Sequence, residues 1–186
     1  MKRIREIVNK NLTGKKILIL FVLTNLIYTI MLMLTIPKTM AFSNGMKLLD
    51  MMPTGYDSEY VNALFEALGE NGRKVYLYNQ IPIDMIYPFL FGICYCLLLA
   101  YFLKKIDKLN STYFYLCFLP LIAGIADYLE NFGIIMMLNN YPNLSQISVD
   151  ATNMFSITKS MSTTIYFVVL IITLLIFVIK RRKTSP

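Results

Sequence analysis

The chain has 186 residues, of which 56% are hydrophobic and 16% charged, and its mean hydropathy is +0.56. A soluble domain of this length does not need so apolar a composition, which is typical of an integral membrane protein. The chain has no histidine, which excludes histidine-based nucleophilic pairs and histidine-ligated zinc or haem. The net charge of +7 is explained by basic residues at the ends of apolar segments, so we expect no nucleic-acid partner.

Four segments are apolar over about 20 residues, which is the length of helix that crosses the hydrocarbon core of a bilayer. The sequence therefore predicts an all-α protein, a four-transmembrane-helix bundle that forms one domain over residues 1–186, with the lipid bilayer as its surroundings. A short basic stretch before the first segment predicts an amphipathic helix on the membrane surface. The predicted spans cover about residues 17–36, 81–103, 113–138 and 160–179.

Lysine and arginine residues accumulate before the first span, between the second and third spans, and after the fourth span. Basic residues beside membrane spans stay on the cytoplasmic side. This pattern predicts that both termini and the short middle loop are cytoplasmic, and that the two longer segments, 37–80 and 139–159, lie on the outer face. We expect the membrane to be that of a prokaryotic cell.

The outer segment 37–80 contains one helical pattern. Tyr60, Leu64 and Leu68 recur at four-residue spacing, which predicts an amphipathic helix over about 57–68. Its apolar stripe needs a support, which is either the outer end of the bundle, where the helix would act as a lid, or the headgroup layer. Arg73 follows this helix and is placed where it could face acidic residues in the spans.

Three carboxylates lie inside the apolar spans, with Asp84 in the second and Asp127 and Glu130 in the third. A helical rise of about 1.5 Å per residue places all three in the outer half of the membrane. On the third span, Asp127, Glu130 and Asn131 share one helix face. Because an ionisable side chain at membrane depth is costly and usually has a partner or a function, these residues form the predicted site.

The faces that carry the carboxylates also carry small residues and prolines. On the third span, Gly124 and Pro120 continue the acidic face, and small residues allow a neighbouring helix to approach closely. A second subunit could use the same face, so a homo- or hetero-oligomer is left open. On the second span, Asp84, Pro88 and Gly92 are four residues apart. Pro88 has no N–H to donate to the carbonyl of Asp84, which predicts a free acceptor beside that carboxylate.

Other polar side chains of the first and fourth spans lie at the same depth as the carboxylates. This concentration of polarity in the outer half predicts an outward-opening polar pocket. The predicted ligand-binding residues are Asp84, Asp127, Glu130, Asn131, Lys159, Tyr28, Asn25, Thr163 and Arg73.

Two functional interpretations use this pocket. In the first, the protein is a binder, sensor or transport component that takes a cation or a small amphiphile. The cation would be an organic amine or a hard metal ion held by Asp84, Asp127 and Glu130. In the second, the protein is a membrane enzyme that uses the same three carboxylates for acid–base catalysis on a lipid or an isoprenoid. The sequence has no phosphate-binding or dinucleotide motif and indicates no cofactor, which favours the first interpretation.

A third interpretation is structural. Lys159, Arg73 and Lys74 could neutralise the three acids one for one, and buried ion pairs can fix the register of helices without binding a ligand. The protein would then be a structural or assembly subunit. The sequence does not distinguish a filled site from a neutralised one.

Overall fold

The structure is a computed structural model that describes residues 2–183, with side chains over residues 3–182. In this part of the chain all regular secondary structure is helical. The last four of the five main helices are each long and apolar enough to cross a membrane, which confirms the prediction of an all-α protein with four helices able to span a membrane. The helices are α1 (Lys2–Asn11), α2 (Gly14–Met40), α3 (Ser58–Lys105), α4 (Thr112–Asn140) and α5 (Gln146–Lys183).

Prolines account for the irregular turns within three of these helices. Proline lacks an N–H and its ring clashes with the preceding turn, so the helix widens or tightens there. In each case a non-α stretch is followed by an α-helical stretch whose first or second residue is proline. The stretches are the π-helical turns Met31–Thr35 in α2 and Tyr76–Gln80 in α3, and the 3₁₀ turns Thr112–Phe118 at the start of α4.

Helix α3 joins the outer helical pattern to the second span. It begins at Ser58, where the Asp57 carboxylate accepts a hydrogen bond from the backbone N–H of Tyr60 at 2.8 Å. At Gly69 the backbone has φ of +58°, a conformation that glycine adopts without steric cost. The helix kinks at that position and then continues to Val75 and on into the span. The apolar pattern of Tyr60, Leu64 and Leu68 stops one residue before this kink.

Helix α5 begins at Gln146, well before the predicted start near residue 160. The intervening residues are rich in serine and threonine, a composition that is also typical of loops. In the structure both threonine hydroxyls donate to the carbonyl one turn earlier, Thr152 to Ser148 at 2.7 Å and Thr158 to Met154 at 2.8 Å, whereas Ser156 donates to Met52 at 3.4 Å. Hydroxyls that bond back to their own helix are compatible with a helical backbone, and the helix therefore continues.

Helices α3 and α4 pack face to face through the small residues that the sequence singled out. A Cβ atom added to Gly124 would lie 2.8 Å from the carbonyl oxygen of Pro88, and one added to Gly92 would lie 3.4 Å from that of Pro120. In each helix, the turn that contains the proline therefore packs directly against the glycine of the other helix. The prediction that these faces allow close approach of a neighbouring helix is confirmed.

Helices α2 and α5 lie at the outside of the bundle. Only 17% of the most apolar stretch of α2 and 22% of that of α5 are buried, against 50% for α3 and α4. Their exposed side chains are mainly aliphatic, such as Leu18, Met33 and Leu175. These two helices therefore present most of the apolar surface that a bilayer would cover.

The two ends of the bundle differ in what packs there. At one end, which we call the polar end, segment 41–57 folds over the helices and buries Leu48 and Leu49 completely. At the other end, which we call the basic end, α1 packs Val8 and Leu12 against the bundle beside the loop between α3 and α4. The sequence-predicted carboxylates all lie at the polar end.

Candidate functional site

The structure brings the three intramembrane carboxylates together around one lysine. Asp84 extends from α3, Asp127 and Glu130 from α4, and all three are buried. Lys159 of α5 places its Nζ 3.3 Å from Oδ1 of Asp127 and forms an ion pair with Oε2 of Glu130. Lys159 is therefore a partner shared by two acids.

A fourth acid, Asp50, joins this group from segment 41–57. Its carboxylate accepts hydrogen bonds from the hydroxyl of Tyr76 at 2.7 Å and from the amide of Gln80 at 3.1 Å. Its backbone carbonyl accepts from Lys159 at 3.4 Å. We call Asp50, Asp84, Asp127 and Glu130 the acid cluster. The sequence reasoning missed Asp50, although an aspartate with two apolar residues on each side was a usable signal.

The basic residues do not balance the acid cluster one for one. Arg73 donates to the carbonyl of Phe65 at 2.7 Å and stacks 4.5 Å from the ring centre of Tyr141, and Lys74 pairs with the exposed Glu70. Neither contacts the cluster. Within residues 3–182, Lys159 is the one basic side chain that forms an ion pair with any of its four acids. Since like charges in a low dielectric repel strongly, the cluster favours additional positive charge or shared protons.

Asn131 fills the acceptor that Pro88 leaves free. Its side-chain amide donates to the backbone carbonyl of Asp84 at 3.5 Å, so the acceptor that was predicted to be free is occupied by a side chain of the neighbouring helix. The Oδ1 atom of Asn131 and the Oε1 atom of Glu130 are buried and have no hydrogen-bond partner among the residues that the structure describes. Buried polar atoms usually have a partner, so these two acceptors are an exception.

Tyr56 contributes a buried hydroxyl donor near the acid cluster. Its hydroxyl is buried without a hydrogen-bond partner and lies within electrostatic range of Glu130 and Lys159. Burial, reinforced by the negative charge of Glu130, raises the pKa of Tyr56. The hydroxyl therefore remains protonated at neutral pH and is available as a donor.

A cavity of about 360 Å³ lies beside the acid cluster, which is within the size range of small-molecule sites. We call it the ligand cavity. Its lining is partly polar and partly apolar and aromatic, with the rings of Tyr28 and Tyr87 stacked 5.3 Å apart. The polar lining residues are Asp50, Asp84, Asp127, Lys159 and Thr163, and the apolar and aromatic ones are Tyr28, Met31, Leu32, Ile36, Met51, Tyr87, Phe91 and Ala123.

The remaining predicted site residues lie outside the ligand cavity. Glu130 and Asn131 are completely buried and do not line it. Asn25 donates to the carbonyl of Phe21 at 2.7 Å within α2 and does not line the cavity. Arg73 is held at the Gly69 kink, as described above. Five of the nine predicted residues, Asp84, Asp127, Lys159, Tyr28 and Thr163, therefore meet at one cavity.

Acidic groups next to aromatic faces are a setting for organic cations, which are attracted by both. Over the part of the chain that the structure describes, no three carboxylate or thiol side chains are placed to hold a metal ion. Comparisons of the chain with protein-family models, with curated proteins and with solved structures find no match.

Proposed function

We propose that the protein is a membrane-embedded binder, sensor or transport component whose ligand cavity takes an organic cation or a small cationic amphiphile. The observation that carries the proposal is the charge balance of the site. Three buried carboxyl groups and the half-buried Asp50 surround one lysine, and three of these four acids line a cavity whose lining includes aromatic rings. A ligand cation would pair with the acids that Lys159 does not reach.

The distribution of basic residues supports a topology for this function. Residues Lys104, Lys105 and Lys108 accompany the basic end, as do both basic terminal segments. By the positive-inside rule this end, with both termini, is cytoplasmic, and the polar end with segment 41–57 lies on the outer side of a prokaryotic cell membrane. The acid cluster then occupies the outer half of the bilayer beneath that segment.

Energetic considerations favour a ligand over a purely structural network. A buried charge without a partner is strongly unfavourable, and a buried ion pair at best roughly offsets its own desolvation. A network selected only for register would place one cation for each acid, whereas Asp84 has no ion pair in the structure and Arg73 and Lys74 point elsewhere. A bound cation would balance the charge of the acids that Lys159 leaves unpaired.

The proposal is tested by thermal unfolding of the purified protein in detergent with butyltrimethylammonium as the probe. We expect the probe to raise the unfolding temperature of the wild type. The Asp127→Asn and Glu130→Gln variants should stay folded but lose most of this rise, because each removes negative charge from the site. The matched control Glu66→Gln removes an exposed acid and should respond like the wild type.

Two results would replace the proposal. The acid cluster is a structural network if three results are found together. The probe then has no effect, each neutralisation destabilises the free protein, and the addition of Lys159→Met restores part of the lost stability. If purified protein changes the mass of a component of a lipid extract, and Asp127→Asn abolishes that change, the protein is an enzyme acting on a lipid or isoprenoid.

A further inference from the structure

A second cavity, of about 520 Å³, lies along the bundle on the side of α2, α3 and α5. Its lining is almost entirely aliphatic and aromatic, with no charged side chain. We call it the apolar groove. It extends from the middle of the bundle toward the basic end, and representative lining residues are Leu18, Tyr95, Leu98, Phe102 and Leu170.

The ligand cavity and the apolar groove lie on one continuous face of α3. Tyr87 and Phe91 line the first, and Tyr95, Leu98 and Phe102 line the second. These residues recur at three- or four-residue spacing, so their side chains share one side of the helix. The groove therefore begins one helical turn beyond the point at which the cavity ends.

The same two helices flank both spaces. On α5, Thr163 lines the ligand cavity and Phe167 lines the groove one turn further along. On α2, Tyr28 lines the cavity and Phe21 lines the groove. Since α2 and α5 are the two most exposed helices, the space between them faces the lipid, and a ligand can reach it without crossing the polar end.

Aromatic rings form the junction between the two spaces. The ring centres of Phe91 and Tyr95 are 4.7 Å apart, and that of Phe167 lies 5.5 Å from Tyr95 and 6.5 Å from Phe91. Phe167 is 37% exposed, whereas Phe91 and Tyr95 are buried. This junction of three rings lies between the polar ligand cavity and the apolar groove.

We infer that the ligand is a long-chain amphiphile with a cationic head, whose head occupies the ligand cavity and whose chain lies in the apolar groove. This inference rests on the proposed function, because it takes the cationic head from the charge of the acid cluster. At about 1.5 Å per residue, Asp84 and Phe102 are separated by about 27 Å along α3, which accommodates a long acyl or isoprenoid chain. The acid cluster supplies selectivity for the head, and the groove selects for a chain.

The absence of tryptophan from the chain allows a direct test. Leu18 lines the groove near its end and is 62% exposed, and the neighbouring Ile19 is 57% exposed without lining the groove. The Leu18→Trp and Ile19→Trp variants each carry one fluorophore at nearly the same membrane depth. In nanodiscs of zwitterionic lipid, each is titrated with dodecyltrimethylammonium brominated near the end of its chain, since bromine quenches tryptophan on contact.

We expect saturable quenching of the Leu18→Trp variant, reversed by excess butyltrimethylammonium and abolished by adding Asp127→Asn and Glu130→Gln. The Ile19→Trp variant should show only the gradual, non-saturating quenching caused by probe dissolved in the bilayer. Equal and non-saturating quenching of both variants would overturn the inference. If butyltrimethylammonium still stabilises the wild type in that case, the groove assignment alone fails. If it does not, the proposed function fails as well.

Discussion

The polar end and the basic end of the bundle both contain ion pairs, but in opposite environments. At the basic end, Asp107 and Lys180 pair with side chains that are 82% and 44% exposed. At the polar end, Lys159 pairs with Glu130, whose side chain is completely buried. Exposed pairs contribute little to stability. Buried acids that outnumber their basic partners are unfavourable for folding. The polar end is therefore the more informative of the two ends about function.

The difference between the ion pairs of the two ends is tested most strongly by removing Lys159. Lys159→Met leaves the buried acids without their cation, and breaking a buried ion pair from one side typically costs about 3–5 kcal/mol in the free energy of unfolding. Denaturant unfolding in detergent micelles measures the loss. Lys108→Met, at the exposed loop between α3 and α4, should have no resolvable effect. Equal stability of the two variants would show that the acids do not depend on Lys159.

The link between segment 41–57 and the site is tested at Asp50. Asp50→Ala leaves the buried Tyr76 hydroxyl and Gln80 amide without their acceptor, and loss of hydrogen bonds to a charged group costs about 1.5–3 kcal/mol. We also expect weaker binding of butyltrimethylammonium and faster amide hydrogen exchange at residues 48–52. Unchanged exchange there would mean that Asp50 does not hold the segment in place.

The close contact of α3 and α4 is tested by substituting the two glycines that lie in it. In Gly124→Ala the new methyl group meets the rigid carbonyl of Pro88, and overpacking of this kind costs about 1–3 kcal/mol. In Gly92→Ala the nearest atom is the flexible end of Leu121 at 3.2 Å, so the loss should be smaller. Unfolding measurements on the two variants check the order, and a reversed order would contradict the described helix crossing.

The smallest effect is expected at the basic end. Its hydrogen bond and ion pair with Lys180 lower the pKa of Asp107. Any stabilisation from this carboxylate is present above the ordinary aspartate pKa and is lost as the pH falls through the lowered value. Because the pair is exposed, Asp107→Asn should leave the unfolding temperature at neutral pH unchanged. A clear drop would mean that the basic end, too, contains charges on which the fold depends.

Much of the fold and part of the site could be predicted from the sequence. Apolar length gives the four spans, and the spacing of Asp127, Gly124 and Pro120 gives the face that packs on α3. These features are local or periodic, so composition and helical geometry are sufficient to find them. The start of α5 could not be found this way, since serine and threonine residues that bond back to their own helix resemble a loop in composition.

The missing parts of the site depend on tertiary contacts. Asp50 lies in a segment without periodicity, and tertiary contacts bring it over the bundle, among them the packing of Leu48 and Leu49. Arg73 is close in sequence to the acids of α3, but the kink at Gly69 brings its guanidinium to the carbonyl of Phe65 instead. Neither the inclusion of Asp50 nor the exclusion of Arg73 follows from helical spacing alone.

The central claim is that the acid cluster binds a cation, and equilibrium dialysis of the nanodisc-embedded protein against radiolabelled butyltrimethylammonium tests it most directly. The account predicts saturable binding of about one cation per chain to the wild type and to Asp107→Asn, and its loss when Asp127→Asn and Glu130→Gln are combined. Saturable binding that survives the double neutralisation, or its absence from the folded wild type, would contradict the account.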